Sequence, residues 1–124
     1  MNNLGYQQYK QQSVNTMTSG EMLILLYDEA LKRLTGAEVA LNNKNFVLFD
    51  DSVDRVKKII TYLDDTLDKK YPISAEISRL YEFFNYQLVR LKAGRNKDII
   101  TEIRPLIAEL RDSFKEADKL SRKK

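Results

Sequence analysis

The residues in this chain that could do chemistry are its carboxylates. Asp50-Asp51 and Asp64-Asp65 are adjacent acid pairs, and Glu76 and Glu82 add two acids further on. Such groups could hold a di-iron centre, bind calcium or magnesium, or work as a general acid and base. A di-iron site in a helical bundle needs inward glutamates with Glu-x-x-His pairs, and the sequence has no histidine. That absence also removes the commonest general base, the commonest transition-metal ligand and every Ser-His or Cys-His arrangement. Neither Asp pair lies in a stretch resembling a calcium-binding loop, so both are read as solvated faces. Gly5, Gly20, Gly36 and Gly94 are too scattered to cradle a phosphate. Cysteine is absent, which excludes disulfides and thiol chemistry. No catalytic, metal or cofactor site nominates itself, and the expectation is a protein that is not an enzyme and carries no cofactor.

The chain of 124 residues has the length of one domain, and 43% hydrophobic against 31% charged residues places it among folded globular chains. Its net charge of +3 is spread over interleaved acids and bases, which argues against a nucleic-acid partner. Only Arg122-Lys123-Lys124 forms a basic run, and a solvated tail accounts for it. The longest apolar run, Met22 to Tyr27, is six residues. A bilayer span needs about 20, so no membrane insertion is expected. The opening MNNLGYQQYKQQ lacks the basic-then-apolar layout of a signal peptide. The cytoplasm is the expected location.

The elements that would position any site are helices. Leu23, Tyr27, Ala30, Leu34, Ala37 and Leu41 follow the steps of three and four that lay residues along one helix face. Phe46, Phe49, Val53, Val56, Ile60, Leu63 and Leu67 do the same in a second stretch. Ile77, Leu80, Tyr81, Phe84, Leu88 and Leu91 mark a third, and Ile99, Ile103, Leu106, Leu110, Phe114 and Ala117 a fourth. Asn42-Asn43, Asn45, Ser74, Gly94 and Asn96 supply end signals. Pro105 interrupts the last stripe without shifting its phase, predicting one kinked helix and not two. Helices are expected over 19–42, 46–68, 75–93 and 97–120. Short links make neighbours antiparallel. The fold class is therefore all-α, an antiparallel up-down-up-down four-helix bundle over 19–121. Residues 1–18 form a polar arm interrupted by Tyr6, Tyr9, Val14 and Met17, either a disordered terminus or a mobile strap folding back on apolar surface.

Apolar residues exceed what these stripes need. Six consecutive apolar residues cover the whole circumference of a helix at about 100° each, whereas a bundle helix needs about three in seven. Met22, Ile24, Leu25, Leu31, Val47, Leu48, Ile59, Tyr62, Ile100 and Ile107 are left over. As a set they suggest an uncovered groove for an apolar partner segment.

The opening YQQYKQQSVNTMTSGEMLILLYDEALKRL resembles the start of the flagellar secretion chaperone FliS family. The likeness rests on Tyr6-Gln7, Val14-Asn15-Thr16, Ser19, Glu21 and Leu26-Tyr27-Asp28. It continues through Leu63, Leu67, Ile77, Leu80-Tyr81, Leu88 and Leu110-Arg111-Asp112, covering residues 6–117. The chain departs from the family pattern at Phe114, often Trp, at Gly94, often Asn, and at Gly20, often Pro; Pro105 is a further departure. The resemblance implies a cytoplasmic chaperone that holds the disordered C-terminal segment of flagellin, prevents premature polymerisation and delivers it to the export apparatus. It implies a lid of Tyr6, Tyr9, Val14 and Met17 over a groove of Met22, Ile24, Leu25, Ile100 and Ile107. Other export-apparatus or regulatory flagellar proteins are secondary partners to test, and the expected state is a monomer or weak homodimer. The alternative is a helical homodimeric scaffold or adaptor without a flagellin client.

Overall fold

A computed structural model describes residues 19–122; the arm assigned to residues 1–18, with Tyr6, Tyr9, Val14 and Met17, lies outside them. Four helices follow one another: α1, Ser19–Asn42; α2, Phe46–Asp65; α3, Ser74–Gly94; and α4, Asp98–Arg122. No strand occurs among the described residues.

The helix ends show which local signals win. Asn45 caps α2 as its side chain predicts, its Oδ1 accepting from the Leu48 N–H at 3.2 Å. The left-handed residue between α1 and α2 is Lys44 (φ 57°), not Asn42 or Asn43. It lets the Asn45 N–H reach back to the Ala40 carbonyl at 2.8 Å. α2 ends three residues short of expectation: the Thr66 hydroxyl caps the Tyr62 carbonyl at 2.8 Å, and the Leu67 N–H tightens onto the Asp64 carbonyl at 3.3 Å and not onto that of Leu63. Ser74 is the first residue of α3, not its cap; Ile73 precedes it and makes no side-chain cap bond. Gly94 stays helical and Arg95 takes the left-handed position (φ 53°), its N–H bonded to the Leu91 carbonyl at 2.8 Å. The Arg95 guanidinium lies 3.9 Å above the Phe46 ring, a cation–π contact that offsets the cost of a side chain in that conformation. Asn96 Oδ1 accepts from the Asp98 N–H at 3.0 Å and starts α4.

α4 runs unbroken through Pro105. Proline has no N–H, so the Thr101 carbonyl loses its helical partner. Both residues are exposed.

Cross-helix polar contacts fix the directions. Arg104 meets Glu38 at 3.0 Å, Arg111 meets Asp28 at 3.2 Å, and Lys97 donates to Asn42 at 3.4 Å, so α4 runs antiparallel to α1. Ser78–Asp64, Asn85–Thr61 and Lys92–Asp54 set α3 antiparallel to α2. Gln87 donates to Glu102 across the α3–α4 hairpin. α1 packs on α2 and α4, and α3 on α2 and α4, with α1–α2 the closest pairing and α3–α4 the loosest. Ala30, Ala37 and Ala40 let α1 approach closely.

The core holds Leu34, Phe49, Ile60, Phe84, Leu88 and Ile103, all buried. At its centre Tyr27 and Tyr81 join α1 to α3 by a hydrogen bond between their hydroxyls. The Tyr27 ring also stacks on Phe114 of α4, with centroids 5.7 Å apart and planes 25° off parallel. Two phenols without water need a polar partner, and here each supplies the other's.

Candidate functional site

One member of the acid pairs, Asp64, and the nearby Asp54 make structural contacts. Asp64 accepts from the Ser78 hydroxyl at 2.7 Å, and Asp54 pairs with Lys92 at 3.0 Å, whose ammonium is held above its usual range mainly by that hydrogen bond. Among the described residues there is no group of three or more His, Cys, Asp or Glu placed to hold a metal ion.

Exposed apolar side chains are spread over the bundle, Val47 and Leu48 at the start of α2 among them, but they border a recess where α1 begins, α2 ends, α3 begins and α4 ends. An indentation of about 270 Å³ opens there. Its walls come from Leu23 of α1, Leu63 of α2, Ile77 and Tyr81 of α3 and Phe114 of α4, with Leu67, Tyr71 and Ile73 of the α2–α3 link at its rim. A shallower trough of about 480 Å³ continues from it between α1 and α2, lined by Met22, Leu26, Tyr62 and Thr66. The two share Leu23, Leu63 and Thr66, so they form one recess. Its origin is local. The stripes of α1, α2, α3 and α4 persist to this end, yet Leu23, Leu26, Leu67, Ile77, Leu110 and Phe114 are only partly buried. The link over 66–73 turns on Asp68, whose carboxylate accepts from the Lys70 N–H at 3.1 Å, and it leaves Tyr71 and Ile73 more than half exposed.

The floor is the tyrosine pair. Burial, then the mutual hydrogen bond, pushes the Tyr27 hydroxyl far above its ordinary value, and burial also raises Tyr81. Both stay protonated over the physiological range. The recess offers no activated nucleophile or general base; what it can do is desolvate apolar side chains.

The sequence-predicted groove residues separate. Met22 lines the trough. Leu25 points outward, 41% exposed. Ile24 is two residues from Met22, about 200° around the axis, which puts it on the flank facing α4, where Asp28 four residues on meets Arg111. Ile100 and Ile107 require a correction: both are fully buried, at 0% exposure, and belong to the core. Leu106, assigned to the core stripe, is 37% exposed instead. The buried face of α4 runs Ile100, Ile103, Ile107, then the half-buried Leu110 and Phe114, an unbroken 3-4-3-4 step. Sequence reasoning missed Tyr71 and Ile73, and placed Leu23, Leu63, Ile77 and Phe114 in the core alone. Apolar residues on both sides of Pro72, in a link that should be polar, are the signal that could have found the rim. A second apolar strip, Leu80, Phe83, Tyr86 and Val89 of α3 with Leu106 of α4, lies outside the recess.

Comparison with known proteins bears on what such a recess serves. The family model described as flagellar protein FliS matches residues 1–121. The chain belongs to the FliS family. One FliS relative, the flagellar secretion chaperone FliS of Bacillus subtilis (strain 168), is 29% identical over 118 residues, covering 95% of this chain and 89% of that protein. The fold agrees with the bundle that the FliS resemblance implied. The two segments most useful for that resemblance meet in space. In Leu26-Tyr27-Asp28, Leu26 lines the trough, Tyr27 sits in the core and Asp28 pairs with Arg111 of Leu110-Arg111-Asp112. Among the described residues of this FliS-family chain, no helix is long and apolar enough to cross a membrane.

Proposed function

We propose that this chain is a flagellar secretion chaperone, non-enzymatic and cytoplasmic, that holds the disordered C-terminal segment of flagellin until export. The observation that carries the reading is the apolar recess spanning all four helices at one end, in a family whose relative is named for flagellar secretion. Met22 and Leu25 remain in the proposed contact surface, Ile24 flanks it, and Tyr6, Tyr9, Val14 and Met17 are proposed as its cover. Tyr62, Tyr71 and Ile73 join it as exposed aromatic and branched side chains. Magnitudes allow this. Ordering a disordered client costs about 2–5 kcal/mol, while burying one large aliphatic side chain returns about 1.5–3 kcal/mol. Several such anchors are therefore needed, because association itself costs about 4 kcal/mol or more besides. Docking onto export-apparatus or regulatory flagellar proteins belongs to the same proposal.

Titration of the full chain with a peptide of the flagellin C-terminal segment tests it. A one-to-one complex is expected, and Ile73→Asp is expected to weaken it at least tenfold without loss of helicity. Separate elution of protein and peptide on a sizing column at concentrations on the order of 100 μM overturns the reading. The competing homodimeric scaffold draws on the α3–α4 strip of Leu80, Phe83 and Leu106. Light scattering over a dilution series separates the two: a monomer or weakly associating species fits the chaperone, a dimer that persists on dilution fits the scaffold.

A further inference from the structure

α4 changes character at Pro105. Before it, Ile99, Ile100 and Ile103 are buried, and Glu102 and Arg104 bond to α3 and α1. After it, Ile107 is the last buried residue; Leu110 and Phe114 are only partly buried, and Phe114 lines the recess. Pro105 itself deletes the hydrogen bond that would join the two halves at the Thr101 carbonyl. Three contacts run from the second half to α1: Arg111 to Asp28 at 3.2 Å, Phe114 stacked on Tyr27, and Asp118 against Gly20. The last is unusually intimate. A Cβ built on Gly20 would lie 2.1 Å from Asp118 Oδ1, so the carboxylate rests on the first turn of α1 and would have to swing aside for any larger residue there. There its charge complements the positive end of that helix. Phe114 is meanwhile one wall of the 270 Å³ indentation. A helix of about 10–12 Å diameter cannot enter this part of the recess, which is narrower than the trough beside it.

We propose that α4 beyond Pro105 is a movable wall of the recess, hinged at Pro105 and latched to α1 through Asp118–Gly20 and Arg111–Asp28, which swings outward to admit the client. This rests on the reading of the recess as the client site. Arg111 and Asp118 act as positioning residues: they set how often the wall opens and do not touch the client's anchors.

Hydrogen exchange on the full chain, followed by mass spectrometry, is the test. Asp118→Ala removes the latch, and Gly20→Ala displaces the carboxylate while keeping a good helix former. Either should speed exchange of amides 107–120 by about tenfold, with 98–104 and α2 unchanged. Pro105→Ala restores the missing hydrogen bond and should slow exchange in 107–120. No change in either direction, or a uniform rise in all four helices, overturns the proposal. Stopped-flow association with the flagellin C-terminal peptide adds the functional arm: faster for Asp118→Ala, slower for Pro105→Ala. Selective exchange effects without any binding by the unmodified protein would overturn the client reading and leave the hinge standing. Tight binding at one rate across all variants would overturn the gate and leave the client reading standing.

Discussion

The two ends of the bundle are built from the same stripes and finish differently. At one end, links 43–45 and 95–97 are tight, each with a left-handed residue, and Arg95 reaches over Phe46 to tie them together. Behind them Ala40, Phe49, Leu91, Ile99 and Ile100 are buried. At the other end the longer link 66–73 stands off, and the apolar residues that continue each stripe are left half in water. Amphipathic periodicity sets which face of a helix is apolar; the connections decide whether that face is covered at its end. One end closes its stripes under two tight links, although Val47 and Leu48 stay exposed beside them, and the other leaves its stripes half in water.

Removing core volume should separate the two ends most strongly. Ile103→Ala, in the sealed part, is expected to cost about 2–5 kcal/mol by chemical denaturation. Leu67→Ala, at the open rim, should cost under about 1.5 kcal/mol, since its site is already partly hydrated. Equal losses would erase the contrast. A second effect concerns the boundary between the ends, where Tyr27 meets Tyr81. Tyr27→Phe leaves the Tyr81 hydroxyl buried without its partner and should cost about 1–3 kcal/mol. The double Tyr27→Phe, Tyr81→Phe variant should cost less than the sum of the two singles.

Alkali sharpens the same point. Both hydroxyls titrate above the ordinary value of 10.0 in the folded chain. The folded state therefore keeps protons that the unfolded state loses. The stability they contribute is full below pH 10 and falls as pH rises from there toward the folded values, by about 1.4 kcal/mol per unit for each proton difference. Thermal melts between pH 9 and 11 should show this fall, and the double Phe variant should flatten it. The smallest change is expected at the sealed end. Asn45→Ala removes the α2 cap and should cost about 1 kcal/mol, read as a lower melting temperature with client affinity unchanged.

Much of the fold was legible because four long stripes carry it. The 46–67 pattern and the Asn45 cap needed no tertiary information. Ser74 and Gly94 misled as end signals because Ile73 and Arg95 held those backbone positions, the latter helped by a ring from another helix. The site was harder to read. Met22 and Ile24 look alike in a six-residue apolar run, but α2 lies on one flank of α1 and α4 on the other, and sequence does not say which neighbour is where. Ile100, Ile107 and Leu106 posed the same problem on α4. Two apolar stripes were available there, and rotation against α1 and α3 buried the regular one. Tyr71 and Ile73 were missed because link residues were read for turns and not for contact.

The order in which the helices meet also bears on timing. α1 with α2, α2 with α3 and α3 with α4 are sequence neighbours joined by brief links, while α1 with α4 and the Tyr27–Tyr81 bond of α1 to α3 bring together distant parts of the chain. Bundles of such local topology fold in microseconds to milliseconds, whereas a ribosome adds about 5–20 residues per second. Folding of a newly synthesised copy is thus limited by its own translation and not by the search for its native contacts.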